Sequence, residues 1–505
     1  MSSTSSVSSN ELPFGQFLRN FENSLDTIFN KTADINQLSL SRGLPAHIWK
    51  EIMALKPLSV AIPQAYGGRG VSVKECLGIL SAASYQSLPL SLTFGINIAL
   101  FLEPFAKYAT EDLKPEVYKN FMENGAMGGL MITEPGYGSD ALNMKTSHTR
   151  AGDDYHIQGL KHWQGLTGMA DYWLITCRGQ NEKGELSRDI DFFVADESKE
   201  QQKIKVLEYY DNAGLYMIPY GKNEINIRVP EKNKLQPPST GLKMMLDILH
   251  RSRMQFPGMA MGFLRRLMED AIAHCQHRVV GNTNLFAMDQ VQYQLSRMQS
   301  SFTICSAMCA KSVKISGIDH ELATSGLKAN VMKALVTDLM QDAAQTYVQL
   351  SGAKGYRISH IGGRGIMDSR PFRIFEGSNE MLYTQISDMI LREMRKSKIN
   401  DIATFAAGKE ATKMAADVFK KELNFSVSGT LPQRQSIDLG KIMARVLAIN
   451  FVLELHNDGF NRELTDNCIE VMREEISILR HTMHNHTGTR ALDDYQDKSN
   501  WMDFV

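Results

Sequence analysis

The apolar residues of this chain change their period twice along its length, and that change limits the fold more than any single motif does. From Leu12 to about Gly125 they recur at helical spacing, as in Phe14, Leu18, Phe21 and Leu25, and again in Ile48, Ile52 and Leu55. A loop interrupts this stretch at Ile62 to Gly70, where a proline and three glycines do not suit a helix interior. Between about Leu130 and Val229 the period falls to two. Tyr155 and Ile157, Tyr172 to Ile175, Phe192 to Val194, and Ile225, Ile227 and Val229 are separated there by turn clusters such as Ala151-Gly152-Asp153-Asp154. From Gly241 the helical period returns, broken near Gly281-Asn282 and between Ser351 and Gly365. Its clearest stripe is Leu327, Val331, Leu335, Leu339, Ala343, Tyr347 and Leu350, with Gly352 as a stop signal. The expectation is an α+β multidomain chain: a tail over 1–11, a helical domain over 12–128, a β-domain over 129–238, a second helical domain over 239–398 and a helical extension over 399–505. In the extension, helices are expected from Phe405 to Leu423 and from Ile437 to Leu455.

Composition narrows the function. A net charge of -1 over 505 residues gives no support to a nucleic-acid groove or an anionic membrane surface as the main partner. Six cysteines without a Cys-x-x-Cys pair point to a reducing compartment rather than a disulfide framework or zinc ribbon. The serine-rich start lacks a basic or apolar leader, and the most apolar stretch, Leu90 to Leu102, is too short to cross a bilayer, so no transmembrane segment and a cytoplasmic protein are expected. Phosphate-loop, strand-linked Gly-x-Gly-x-x-Gly, Gly-x-Ser-x-Gly and His-Glu-x-x-His strings are absent from the sequence. His481, His484 and His486 lack carboxylate or cysteine partners at ligand spacing and read as a solvated helix end, so no metal site is expected.

Four segments carry candidate chemistry. Met131-Ile132-Thr133-Glu134-Pro135-Gly136-Tyr137-Gly138-Ser139-Asp140 combines close-approach glycines with hydroxyls and free amides; it also reads as a well-capped turn. Lys161-His162-Trp163 followed by Gln164-Gly165-Leu166 places an indole beside small residues, as a wall for a planar ring or as core. Gln349 to Tyr356 is a glycine-rich helix end that suits a phosphate or simply a turn. In Ile374-Phe375-Glu376-Gly377-Ser378-Asn379-Glu380, an apolar setting for Glu376 would raise its pKa and strengthen it as a base, while Ser378 or Asn379 also reads as a helix cap.

The order and distances of these segments resemble the acyl-CoA dehydrogenase family of flavoproteins. That family has Thr-Glu-Pro-x-x-Gly-Ser-Asp, Lys-x-Trp-Ile-Thr-Asn, Arg-x-x-Phe-Gly, Gln-x-x-Gly-Gly-x-Gly and Tyr-Glu-Gly-Thr, each with a full or partial counterpart between roughly Pro45 and Lys396. The resemblance implies an N-terminal helical domain, a middle β-barrel and a C-terminal four-helix bundle. It implies FAD held by Met131, Thr133, Gly138, Ser139, Trp163, Gly165, Ser378 and Glu380. Arg278, Gln349, Gly352 and Gly355 would take the diphosphate and adenosine across the interface of a homodimer or tetramer. It implies Glu376 as the base removing the α-proton of an acyl thioester, carried by CoA or acyl carrier protein, as the β-hydrogen leaves as hydride to flavin N5. Arg253 and Phe375 would lie at the substrate, and an electron-transferring flavoprotein would be the acceptor, a place in fatty acid metabolism. Some relatives carry their base one residue before the arginine; Ser252 stands there.

The chain also departs from the pattern. Trp-Ile-Thr-Asn becomes Trp163-Gln164-Gly165-Leu166, leaving only the Gly165 backbone to meet the flavin, and Arg-x-x-Phe-Gly becomes Arg278-Val279-Val280-Gly281-Asn282. Two alternatives therefore stay open: a flavin-dependent monooxygenase on the same fold, and a catalytically silent scaffold or binding protein. The extension resembles, in position only, that of very-long-chain members, and is expected to pack on the bundle or on a neighbouring subunit.

Overall fold

Residues 12–485 and 488–505 are described by the structure, a computed structural model; the tail expected over 1–11, and His486, lie outside them. Helix α1 (Phe14–Thr27) buries Phe17, Phe21 and Leu25 on one face. It lies on α2 (Val73–Gln86), and Arg69 from the short loop just before α2 pairs with Glu75 at 2.6 Å and stacks over Phe17 at 4.6 Å. Helix α3 (Leu88–Asn97) starts at Ser87, whose hydroxyl caps the Leu90 amide, and continues through a π turn to Tyr108. Among the described residues this run, Leu88–Tyr108, is the one with the length and apolar composition of a membrane span, so the expectation that the segment is too short is corrected. Buried over 94% of its apolar window, it is apolar all round because protein surrounds it, as in a core helix.

The middle domain is a curled seven-stranded sheet of order β1-β4-β2-β3-β7-β6, with β5 on β4. Its strands are β1 (Gly128–Met131), β2 (Ser147–Ala151), β3 (Asp154–Gly165), β4 (Tyr172–Gly179), β5 (Asp191–Asp196), β6 (Lys205–Tyr209) and β7 (Tyr220–Pro230). Strand β4 is buried on both faces from Tyr172 to Cys177, which is why it reads as an unbroken apolar run. The long β3–β7 ladder shifts register between His162 and Gln164. Trp163 is the extra residue of that bulge, at φ +60°, and the bulge turns its indole outward.

The C-terminal domain comprises α4 (Gly241–Arg253), α5 (Phe256–His277), α6 (Asp289–Ile315), α7 (Gly326–Ser351), α8 (Ile361–Ser369) and α9 (Asn379–Ser397). On α7 the expected stripe is buried from Val331 to Leu350. Beyond it, the helix expected from Phe405 to Leu423 is two short ones, Ile402–Ala407 and Lys413–Val418. Gly408 ends the first, and the Thr412 hydroxyl turns back onto the Ala406 carbonyl, so the backbone leaves the helix between them. Helices α10 (Gln433–Asn457) and α11 (Arg462–His484) then pack on the bundle of their own chain. Glu475 of α11 joins Arg445 of α10 at 2.7 Å to Arg297 of α6 at 2.6 Å.

Helix α10 crosses α9 so closely that a Cβ on Gly440 would stand 2.0 Å from the Tyr383 carbonyl oxygen. Gly440→Val is therefore expected to push the helices apart and destabilise the protein by about 1–3 kcal/mol. A lowered thermal midpoint would show this, and an unchanged one would contradict so tight a contact.

Candidate active site

Glu376 stands in the turn between the 3-10 segment Arg370–Arg373 and α9, whose first turn is capped by the Ser378 hydroxyl. Its backbone is left-handed at φ +53°, followed by Gly377 at φ +95°. A non-glycine residue there persists only where neighbours hold it. Arg253, at the end of α4, donates to the Glu376 carbonyl from Nε at 3.1 Å and Nη2 at 2.7 Å. Its remaining arm, Nη1, reaches Asn330 Oδ1 at 2.7 Å, so the guanidinium is fixed from both sides.

The Glu376 side chain points inward. Oε1 accepts the Ser252 hydroxyl at 2.7 Å, while Oε2 is buried with no hydrogen-bond partner among the described residues. Burial raises the pKa of this carboxyl, and Arg253, the Ser252 hydroxyl and Lys333 pull it partly back. The Glu376 amide meets no acceptor among the described residues. A buried carboxylate with one free oxygen, next to a free amide, can take a proton from a bound carbon acid and donate to the adjoining carbonyl. Phe375 packs beside it against Phe256 and Phe372, at ring distances of 6.0 and 5.0 Å.

One end of the sheet carries the second group. The Thr133 carbonyl accepts the His162 amide at 3.0 Å and the Gln164 amide side chain at 3.1 Å, joining the two segments. Glu134 locks the loop below them: it pairs with the fully buried Lys161 at 2.9 Å and accepts the Lys145 and Thr146 amides. Gly138 and Ser139 lie exposed, their amides without acceptors among the described residues. The Trp163 indole is 53% exposed and rests on Tyr210 at 4.5 Å. Gly165 lies under Ile96 of α3 and Ile218, where a Cβ would come within 2.8 Å of Ile96.

Met131 differs from expectation. Its side chain is fully buried and its carbonyl takes the Thr176 hydroxyl, so it presents nothing outward. Gln164, in place of the expected isoleucine, also turns inward, its Oε1 held by Asn223. Arg278 and Gln349 are exposed at the ends of α5 and α7; Gly352 is open and Gly355 buried, and no hydrogen bond among the described residues joins these four to the Glu376 turn. A cavity of about 510 Å³ lined by Arg266, His274, Tyr347, Lys354 and His360 lies beside Gly352 and Gly355, away from Glu376. Glu380 is exposed in the first turn of α9.

Two participants escape the sequence reading. Ser252, noted there only as a position without a base, is a donor to Glu376. Lys333 is fully buried and reaches the Gly377 carbonyl at 2.7 Å. The available signal was a lone lysine inside the apolar run Val331 to Val336.

Three family models match the chain: acyl-CoA dehydrogenase, N-terminal domain, over residues 26–124; middle domain, over 129–226; and C-terminal domain, over 239–391. A probable acyl-CoA dehydrogenase of Bacillus subtilis, YngJ, is 23% identical over 354 residues, covering 69% of this chain and 90% of its own. Among solved structures, an acyl-CoA dehydrogenase from Bacillus anthracis complexed with FAD superposes with TM-score 0.76 at 17% identity, over 99% of this chain and 91% of that one. The prolyl acyl carrier protein oxidase AnaB gives TM-score 0.67 at 18% identity, over 75% and 98%.

Proposed function

Because the chain belongs to the acyl-CoA dehydrogenase family, oxidoreductases acting on CH–CH donors, we propose that it desaturates an acyl thioester between Cα and Cβ with Glu376 as the base. The observation that carries this is the unpartnered, buried Oε2 of Glu376 beside the free Glu376 amide. FAD is the cofactor of this family, and the residues present fit it: an outward indole at Trp163, open amides at Gly138 and Ser139 suited to a diphosphate, and at Glu376 a carboxyl oxygen with no protein partner among the described residues. Thr133, Trp163, Gly165, Ser378 and Glu380 would hold the ring region, with Arg278, Gln349, Gly352 and Gly355 of a second copy taking the adenosine half of the molecule. When bound, FAD supplies the acceptor for the β-hydrogen and its electron pair.

The chain's own groups do the rest. Glu376 Oε2 takes the α-proton, and the Glu376 amide donates to the thioester carbonyl as negative charge gathers there, a contribution of about 3 kcal/mol for one preorganised donor. Arg253 and Ser252 keep the base on its turn. Phe375, with Phe256 and Phe372, keeps water from the acyl chain. CoA or acyl carrier protein as carrier, and an electron-transferring flavoprotein as acceptor, complete the reading. The six described cysteines are free thiols, which suits the cytoplasm.

Anaerobic titration of the purified flavoprotein with a panel of acyl-CoA thioesters is expected to bleach the oxidised flavin band and yield a trans-2-enoyl product. Absence of bleaching across short, medium, long and branched chains would refute the reading. A second reading, an oxygen-using flavoenzyme, rests on the replaced Trp-Ile-Thr-Asn segment and the likeness to AnaB. It requires air to reoxidise the reduced enzyme faster than an electron-transferring flavoprotein does. A protein that stays colourless after FAD is added would instead be a silent scaffold.

A further inference from the structure

Lys333 is an ammonium group in the wrong place for a structural residue. It sits on α7 among Val331, Met332, Ala334, Leu335 and Val336, all fully buried, and it is fully buried itself. Among the described residues no carboxylate lies within ion-pair distance of it. Such a site favours methionine, since an unpaired buried charge is costly. Two acceptors hold the ammonium: the Gly377 carbonyl at 2.7 Å and Asn379 Oδ1 at 2.9 Å. Both follow Glu376 on the same turn, and Arg253 already holds the preceding carbonyl, that of Glu376 itself. Two cations from two helices thus grip successive carbonyls of a left-handed pair whose backbone would otherwise relax.

Building on the assignment of Glu376 as base, we propose that Lys333 is a positioning residue: it pins the Glu376–Asn379 turn from the α7 side and presents a positive charge to the Glu376 carboxylate. The charges around the pair are few. Glu376 is faced by Arg253 and the Ser252 hydroxyl from α4 and by Lys333 from α7; Lys333 is faced by Glu376, Arg253, Asp338 of its own helix and Glu380 of α9. Burial raises the carboxyl pKa and pushes Lys333 down to about 7, while the attraction between them works against both shifts. Removing a cation that favours the ionised carboxyl must move the Glu376 pKa upward.

The test uses the full-length flavoprotein and the variants Lys333→Met and Lys333→Gln. Infrared titration of the Glu376 carboxyl, identified by its loss in Glu376→Gln, needs no substrate. In both variants the carboxyl is expected to titrate higher by about one unit, with FAD content and cooperative melting retained. With the best acyl-CoA, kcat is expected to fall about 10- to 100-fold in Lys333→Met, and less in Lys333→Gln, which keeps a donor for the turn. KM should stay within about threefold, because the lysine does not touch substrate. An unmoved titration together with an unchanged kcat would overturn the proposal. So would loss of FAD and of cooperative melting in both variants, since the lysine would then serve the fold rather than the base. If no thioester bleaches the wild-type flavin, the base assignment fails on its own, and the infrared shift still decides whether Lys333 acts on the carboxyl.

Discussion

Glu376→Gln is expected to leave a yellow, folded protein whose flavin is reduced by acyl-CoA about 100- to 10,000-fold more slowly than in the wild type, the usual weight of a positioned general base. The amide is nearly isosteric with the carboxyl, so it can still accept the Ser252 hydroxyl, and Arg253 and Lys333 can still grip the turn. The turn geometry is therefore kept while the proton acceptor at Oε2 is lost. Stopped-flow bleaching under anaerobic conditions, with FAD content measured on the same sample, separates chemistry from cofactor loss. Bleaching at the wild-type rate would mean that another group takes the proton, and the buried, unpartnered Oε2 would then need a different explanation.

Lys161→Met should produce the largest loss of stability. Lys161 and Glu134 are fully and almost fully buried, and the lysine also reaches the Ile132 carbonyl and the Thr176 hydroxyl. Removing it strands the Glu134 carboxylate, which its lysine and two backbone amides hold below the usual glutamate range. Breaking a buried pair from one side costs about 3–5 kcal/mol. Glu134 anchors the loop bearing Gly138 and Ser139, so FAD should be released at a lower temperature than in the wild type, read from the rise in flavin fluorescence. The double variant Glu134→Gln with Lys161→Met removes the stranded charge and should recover part of the loss. Equal melting of wild type and Lys161→Met would show that the pair does not hold the loop.

How legible the site is from sequence differs residue by residue. Glu376 stands out because a carboxylate between Phe375 and Gly377 has a recognisable local context, and Ser378 because a helix cap has one too. Trp163 is visible as a residue but not in direction: the bulge that turns it outward is a register shift between β3 and β7, set by a partner strand some sixty residues away. Met131 looks like part of the loop motif until β4 covers it and Thr176 takes its carbonyl. Lys333 is hidden for the opposite reason. Periodicity assigns a lysine to the solvated face of a helix, and only the arrival of the Gly377 turn makes a buried position tolerable.

Local chemistry along the chain decided the alternation of helix, sheet and helix and the places where glycine and proline stop each element. These depend on period and backbone preference, which neighbours in sequence largely determine. Folding decided which way Trp163 faces, that Ser252 and Lys333 converge on Glu376, and that α10 lies within touching distance of Tyr383. Those contacts join residues tens to more than a hundred positions apart, and burial and charge at such a meeting point belong to no single segment.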